Sequence, residues 1–310
     1  MESKVSILKS KLMHGVTPAL ATPLESDGYT VNTAVIPQLV EFLIEAGVSG
    51  LFVGGTTGEG ILLDVPQRKR LHEAATKAAN DSHAFAGTGR LPVILHIGGN
   101  RIDTAVTLAK HAAELKVDAI AAVTPYYYGV PVEGLISYYR AIAAAAPDLP
   151  LLLYDIPHMA INGITAVSMQ TLIQEVPTIS GIKTSRRNVD SVRQIIDAAP
   201  ESFIVLAGAE SAALGTLALG ADGLISGLST AVPEPFVALT KAVAEGNLAA
   251  ARRHQQKINQ ILACLPAGKR IGAIKVILAE RGIEMGTAVP PRPMPNAGIW
   301  PAMQAILKKQ

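Results

Sequence analysis

Short, uninterrupted apolar runs recur along the chain, and the stretches between them repeat their apolar positions every three or four residues. The runs begin near Gly15 (GVTPALAT), Gly50 (GLFVGG), Pro92 (PVILHIG), Asp118 (DAIAAVT), Pro150 (PLLLYDI), Thr178 (TISGIKT), Phe203 (FIVLAG) and Asp222 (DGLISG). Each is continuous rather than alternating, as expected of strands buried on both faces of a parallel sheet. Between them, Ile102, Ala105, Val106, Ala109 and Ala112 make one apolar stripe and predict a helix over Ile102–Leu115. The same reasoning predicts helices over Thr33–Ala46, Pro66–Ala79, Val132–Ala146, Ala166–Glu175, Asn188–Ala199 and Ser211–Leu219. Asp64, Thr165 and Ser185 read as start signals, with Pro66 in a first turn.

Eight strands that each lead into a helix form the pattern of an α/β protein of the (β/α)8, or TIM-barrel, class. A doubly wound open sheet is the alternative, because strand count alone does not prove closure. Beyond the eighth strand, Pro233–Glu245, Leu248–Leu265 and Lys269–Arg281 are helical in pattern. The proline-rich run Val289–Asn296 cannot be regular structure, and Ile299–Leu307 reads as a last helix. No boundary resembles a linker. Residues 1–230 therefore read as the barrel core, and residues 231–310 as its last helix plus a C-terminal helical extension of the same domain. The polar segment Asn80–Arg90, with Gly87 and Gly89, reads as an exposed loop.

Composition narrows the function. The 310 residues carry a formal net charge of +2, which gives no electrostatic reason to expect nucleic acid or an anionic membrane as partner. With 49% hydrophobic residues but only 4% aromatic, the core must be built mainly of Ala, Val, Ile and Leu. One cysteine, Cys264, excludes a disulfide framework and a cysteine-based zinc site, and fits a reducing compartment. Residues 1–14 hold three lysines among short apolar pairs and do not read as a signal peptide, nor does any apolar run reach spanning length. A soluble cytoplasmic protein is the expectation.

In a barrel of this class the chemistry sits at the C-terminal ends of the strands. Lys183 ends an apolar strand, where it must either pair, snorkel to the mouth, or sit as a desolvated amine free to attack a carbonyl. Tyr154 ends the preceding strand, either as a proton shuttle or as a core tyrosine with a satisfied hydroxyl. Gly54–Gly60 (GGTTGEG) permits amides aimed at an anion, with Thr56 and Thr57 adding hydroxyls; a plain glycine turn is the other reading. It lacks the Walker lysine and the dinucleotide-fingerprint spacing. Tyr126–Tyr128 places three of seven tyrosines in one loop, at a site or a subunit contact. His96, His111, His158 and His254 read as structural, Glu59 as a brace for the glycine loop, and Arg186–Arg187 as a solvated helix start. No spacing of His, Cys, Asp and Glu suits a metal, so neither metal nor cofactor is expected.

Taken together, GVTPALATP, GGTTGE, VTPYYY, LLYDIP, GIKTS and GADGLISG, in this order from Gly15 to the proline-rich tail, make a specific signature. The chain resembles the pyruvate-dependent class I aldolase family that contains dihydrodipicolinate synthase and N-acetylneuraminate lyase. The resemblance implies a lyase on a (β/α)8 barrel, usually a homotetramer built as a dimer of dimers. It implies that Lys183 forms a Schiff base with pyruvate and that Tyr154 relays protons. Thr56 and Thr57 match the pair that holds the keto-acid carboxylate and links to the tyrosine. Tyr127 matches a tyrosine that crosses the dimer interface, Gly208 the glycine ending the seventh strand, and Ile225 a carbonyl facing the ketimine. Partners would then be pyruvate and an aldehyde or 2-keto acid.

The branch is read from departures. Met159 stands where synthases carry the arginine for their second substrate's carboxylate, and Ala209-Glu210-Ser211 replaces the acidic pair of the neuraminate lyases. The leading expectation is an aldolase that cleaves or forms a 2-keto-3-deoxy sugar acid or a related hydroxylated 2-keto acid. 4-Hydroxy-tetrahydrodipicolinate synthase and N-acetylneuraminate lyase are the alternatives, with a non-enzymatic keto-acid-binding protein as the alternative of another class. Met159 and Ala160 as an apolar wall, with Glu210, Ser211 and Ser226 to bond hydroxyls, predict that uncharged hydroxyaldehydes outcompete aspartate semialdehyde.

Overall fold

A computed structural model describes residues 3–82 and 90–309. Eight parallel strands, each running as far as the local apolar run allows, form one sheet: β1 (Val16–Pro18), β2 (Leu51–Val53), β3 (Val93–His96), β4 (Ala119–Val123), β5 (Leu151–Asp155), β6 (Ile179–Thr184), β7 (Ile204–Ala207) and β8 (Gly223–Ser226). Their order is β1-β8-β7-β6-β5-β4-β3-β2. The open edges, β1 and β2, meet through the parallel bridge Ala19–Phe52 and through Ser49 N donating to Val16 O and Leu20 N to Phe52 O, both at 2.9 Å. The sheet is thus the barrel, and the open doubly wound alternative falls.

Each strand buries both faces, which is why its sequence shows no alternation. In β4, Ala119, Ala121 and Val123 point into the barrel while Ile120 and Ala122 face the helices; in β5, Leu152 and Tyr154 point in and Leu151 and Leu153 out. The small side chains of β4 leave room in the interior for Phe52 and Tyr154. At the strand starts, aspartates serve the backbone. Asp118 Oδ2 accepts from Val93 N at 2.8 Å, and Asp222 Oδ2 from Val205 N at 2.7 Å.

The helices surround the sheet: α2 (Ile36–Glu45), α3 (Val65–Asp81), α4 (Ile102–Glu114), α5 (Val132–Ala145), a short turn α6 (Pro157–Ala160), α7 (Ala166–Glu175), α8 (Val189–Ala198), α9 (Ala213–Ala218) and α10 (Glu234–Ala244). Asp64 caps α3 through Gln67 N at 2.8 Å, and Thr165 with Ser168 forms a capping box on α7. Ser185 does not cap α8. Asn188 does, accepting from Ser191 N at 3.1 Å, so Ser185–Arg187 belongs to the loop at the barrel mouth. The expected Asn80–Arg90 loop is shortened, because Asn80 and Asp81 complete α3; residues 83–89 lie outside the described residues.

Three helices follow the barrel, α11 (Leu248–Ala263), α12 (Arg270–Glu280) and α13 (Ile299–Lys308). Two helices had no expectation behind them: the short turn α6 and α1 (Lys4–Leu12). Its Leu8 and Leu12, four positions apart on one face, join the interior cluster and close the N-terminal mouth. Lys9 Nζ clasps the helix there, donating to Glu201 O at 2.7 Å and Phe203 O at 2.8 Å, with Asp222 at 3.3 Å. The Leu8–Leu12 pair was the available signal, hidden by the lysines between. Among the described residues no helix is long and apolar enough to cross a membrane.

If α1 is a plug, Leu12→Ala will leave a cavity under the barrel and cost about 2–5 kcal/mol. The urea midpoint reads this directly; a change below about 1 kcal/mol would mean that α1 is peripheral.

Candidate active site

Register brings the two sharpest candidates together. Tyr154 and Lys183 are Cα partners across β5 and β6, so both point into the barrel at its C-terminal end. Lys183 is 5% exposed. Its Nζ lies 3.9 Å from the centre of the Tyr154 ring and 4.6 Å from that of Phe52. A carboxylate beside a lysine favours the ammonium; none pairs with Lys183 among the described residues. The residues that follow in each strand, Asp155 and Thr184, alternate to the other face. Asp155 is fully buried there and saturated. It accepts from Arg186 Nε at 2.7 Å, Thr184 Oγ1 at 2.9 Å and Ile164 N at 2.9 Å. Arg186 is therefore not a solvated helix start but the clamp on the strand ends that carry Tyr154 and Lys183.

The Tyr154 hydroxyl lies 2.8 Å from Thr56 Oγ1, and either can donate. The glycine turn makes this reach possible. Gly54 has φ +74°, and a Cβ on Gly60 would sit 1.9 Å from Gly54 O, so the chain folds back on itself as only glycines allow. Thr22 Oγ1 ties the turn to the end of β1 by donating to Gly58 O at 2.6 Å. The tyrosine link falls on Thr56; Thr57, 7% exposed, keeps its hydroxyl without a partner among the described residues. His96 holds the base of the turn. Its Nδ1–H donates to Gly54 O at 2.9 Å while Nε2 accepts from Val123 N at 3.3 Å, which defines a neutral ring. Burial first, then Arg68, push its pKa well below the usual imidazole value, in keeping with that tautomer.

Glu59 does brace the turn, more firmly than its sequence position implies. Its Oε2 lies 2.9 Å from Lys275 Nζ of α12, with both side chains fully buried, and its Oε1 accepts from Val289 N at 2.9 Å. Burial pulls the Lys275 ammonium downward and Glu59 opposes it. A signal for this pairing was visible only as an acid in a glycine turn and a lysine in an otherwise apolar helical segment, 216 residues apart.

These elements enclose a cavity of about 580 Å³, a size suited to a small metabolite. Thr56, Thr57, Tyr154, Lys183, Gly208 and Ile225 all line it. Gly208 is required by crowding, since a Cβ there would lie 2.7 Å from Ser185 Oγ and 3.3 Å from Lys183 Cε. Tyr127 is not brought to this cavity. It is 78% exposed at φ +77°, edge-on to Tyr128 with ring centres 4.9 Å apart. Among the described residues no cluster of three His, Cys, Asp or Glu is placed to hold a metal.

The rim departs from expectation. Met159 lines the cavity and is 60% exposed, so the position is apolar as read. Glu210 and Ser226, expected to bond substrate hydroxyls, bond each other: Ser226 Oγ donates to Glu210 Oε1 at 2.9 Å. Leu228 N adds a donor at 2.8 Å, and Arg270 Nη2 reaches Oε2 at 2.5 Å. Meanwhile Arg187, Lys269 and Arg292 also line the cavity, none of them singled out for the site from sequence. His158 is pushed below the usual imidazole value by burial first and Arg187 next. Arg187, Lys269 and Arg292 remove the electrostatic ground for preferring uncharged aldehydes.

Comparison with known proteins now places the chain. The sequence profile of the dihydrodipicolinate synthetase family matches residues 12–310. The 4-hydroxy-tetrahydrodipicolinate synthase of Salinibacter ruber is 33% identical over 96% of this chain and 94% of its own length. The N-acetylneuraminate lyase of Mediterraneibacter gnavus is 32% identical, covering 90% and 86%. The solved sialic acid aldolase of Ruminococcus gnavus superposes with a TM-score of 0.88 at 30% identity, covering 96% and 97%. The chain belongs to the dihydrodipicolinate synthetase family, and it is a carbon–carbon lyase, a Schiff-base-forming class I aldolase. Overall likeness to the synthase and to the lyase differs by one percentage point, 33% against 32%, so it does not choose between the branches.

If the buried pair holds the glycine turn to α12, Lys275→Met will strand Glu59 and cost about 3–5 kcal/mol. Urea denaturation measures it. A near-neutral result would mean that Glu59 is held by Val289 N alone.

Proposed function

We propose that Lys183 condenses with the C2 carbonyl of pyruvate and that the resulting enamine adds to an aldehyde, forming a 2-keto-3-deoxy sugar acid or a related hydroxylated 2-keto acid, or cleaves such an acid in reverse. The observation that carries this reading is a buried lysine, without a carboxylate partner, beside a tyrosine that is hydrogen-bonded to Thr56. The amine attacks the carbonyl carbon, and water leaves to give an iminium. The iminium draws electrons from the carbon beyond C2, so a proton there is lost to give the enamine, or a C–C bond there breaks to the same enamine. The Tyr154 hydroxyl moves protons to and from the carbinolamine oxygen and the aldehyde oxygen, with Thr56 as its relay. Thr57 and the turn amides bind the keto-acid carboxylate, and the Ile225 carbonyl faces the ketimine.

Tyr127 serves a neighbouring subunit in this reading, within a homotetramer built as a dimer of dimers. Its exposure and its distance from its own cavity support that role. Residues 231–310 belong to the same domain as the barrel, supported by their share of the cavity wall. The cell's cytoplasm is the expected location.

Pyruvate with borohydride will trap a covalent adduct on Lys183, read by peptide mass mapping, and Lys183→Ala will abolish both adduct and turnover. A label on another lysine would overturn the assignment. Tyr154→Phe will still form the adduct but lose about 10²–10⁴-fold in kcat, the worth of positioned proton transfer. An unchanged kcat would assign the proton to another group.

A further inference from the structure

Two strained residues near the cavity mouth share one neighbour that the proposed chemistry leaves unused. Among the described residues five non-glycines have positive φ: His14, Glu59, Lys116, Tyr127 and Ile161. Ile161, the only β-branched one of the five, follows α6 at φ +54° and ψ −43°. Asn162 N donates back to Ala160 O at 2.5 Å, which closes the rare, strained form of γ-turn around Ile161. Tyr127 stands at φ +77° in the loop after β4. Such conformations persist only where the surroundings over-determine them, and they gather where a site must hold its shape.

Asn162 supplies that restraint for both. Its Nδ2 donates to Pro125 O at 2.7 Å and to Tyr128 O at 2.8 Å, so it brackets Tyr127 on either side. Its Oδ1 accepts from Val130 N at 2.9 Å, and its carbonyl oxygen from Thr124 Oγ1 at 2.7 Å. Every polar group of Asn162 is thus engaged with the loop after β4 or with the γ-turn, and the residue itself does not line the cavity. The segment that carries α6 is closed separately at its neck. There Ile164 N donates to Asp155 Oδ1 at 2.9 Å, and Arg186 Nη2 donates to Ile164 O at 3.2 Å. Tyr154 precedes this neck and α6 lies beyond it. Helix α6 brings His158 and Met159 into the cavity wall, and both are exposed, whereas Lys183 is buried at its base. An aldehyde that meets an enamine on Lys183 therefore approaches past α6.

We infer that Asn162 is a positioning residue for the aldehyde: by holding Ile161 and Tyr127 in their strained conformations it fixes α6, and with it His158 and Met159, at the mouth of the cavity. The inference rests on the Schiff-base reading above and adds to it the residue on which the aldehyde half of the reaction depends. Without Asn162, Ile161 relaxes into the negative-φ regions that its branched Cβ prefers, and the turn that directs α6 is lost. The neck between Asp155 and Ile164 stays closed, so Tyr154, Thr56 and Lys183 keep their places. The loss therefore falls on the aldehyde and spares the Schiff base.

The test begins on the wild-type enzyme, with pyruvate–borohydride trapping and with condensation of pyruvate onto glyceraldehyde and, separately, aspartate semialdehyde, scored by product mass. No adduct overturns the Schiff-base reading, and this inference with it. An adduct without product from either aldehyde overturns the aldehyde half of that reading, and again this inference. Given both, Asn162→Ala is expected to trap pyruvate at the wild-type rate and to keep the wild-type KM for pyruvate. Its kcat/KM for the accepted aldehyde is expected to fall about tenfold to a hundredfold, since a misplacement of about 1 Å costs up to that much. Should Asn162→Ala not fold, Asn162→Asp takes its place with the same expectation, because it keeps the acceptor for Val130 N and loses both donors. Glycine adopts positive φ without the Cβ penalty, so adding Ile161→Gly to Asn162→Ala is expected to recover part of the lost aldehyde kcat/KM. Equal losses in trapping and in aldehyde use, tracking a lower urea midpoint, would make Asn162 merely structural. That outcome, an unchanged aldehyde kcat/KM, or no recovery in the double variant overturns the inference while the Schiff-base reading stands.

Discussion

The Schiff-base role proposed for Lys183 requires that it be kept dry and away from carboxylates, and much of this barrel's architecture meets that constraint. The end of β6 supplies the dry position, since its neighbours β5 and β7 turn Leu152, Tyr154, Ile204 and Leu206 into the interior. The acid nearest to Lys183 in the strand register is Asp155, directly after Tyr154 and opposite Thr184. Strand alternation sends it to the opposite face of the sheet, and Arg186, Thr184 and Ile164 N occupy it there. Aromatic faces of Tyr154 and Phe52 fill the space a counter-ion would take. The neutral His96 continues the same logic. A charged imidazole under the glycine turn would place a further cation beneath the site, and Nε2 can accept from Val123 N only in the neutral ring.

The C-terminal extension is part of the site rather than an addition to the barrel. Glu59 and Lys275 join the glycine turn to α12 inside the protein, where water cannot substitute for either partner. A buried ion pair contributes little net stability compared with well-packed apolar residues, because both charges must be desolvated. Its value here is positional. With Glu59 fixed, Thr56 stays within reach of Tyr154, and the first turn of α12 stays in the wall opposite. The threonines of the turn and the amides of α12 therefore share one cavity because one ion pair spans them.

How much of this could be read from the sequence depended on whether the signal was local. Strands were legible because burial on both faces writes itself as an unbroken apolar run, and Lys183 and Tyr154 were legible because they interrupt such runs at the end where barrels do chemistry. Helix α1 was not, since a single turn of two leucines among three lysines is weak evidence of amphipathicity. Arg186 was misread for a different reason. A pair of arginines next to a helix start is usually solvated, and only the spatial neighbour Asp155, 31 positions earlier, converts one of them into a half-buried clamp. Lys275, Lys269 and Arg292 were silent because their partners or their cavity lie across the barrel, and no spacing rule connects them. The hydroxyl-binding role read into Glu210 and Ser226 failed similarly, since sequence could not show that the two satisfy each other.

The two ends of the cavity are built by different parts of the chain, and this separates two kinds of chemical requirement. Lys183, Tyr154 and the glycine turn stand on strand ends and on a turn fixed by hydrogen bonds, so the half-reaction proposed for them is tied to the barrel itself. The far wall comes from the loop after β6, the segment before α12 and the proline-rich run, where side chains can change without disturbing a strand. Elsewhere around the cavity, Met159 brings no charge and the carboxylate of Glu210 is already occupied by Ser226, Leu228 N and Arg270. A family profile therefore fixes the half-reaction common to all members, while the aldehyde must be read from the charges this chain sets around the cavity. Those charges are positive, and apart from Arg270 on Glu210 and the 3.9 Å approach of Arg292 to Glu59 they have no carboxylate partner among the described residues.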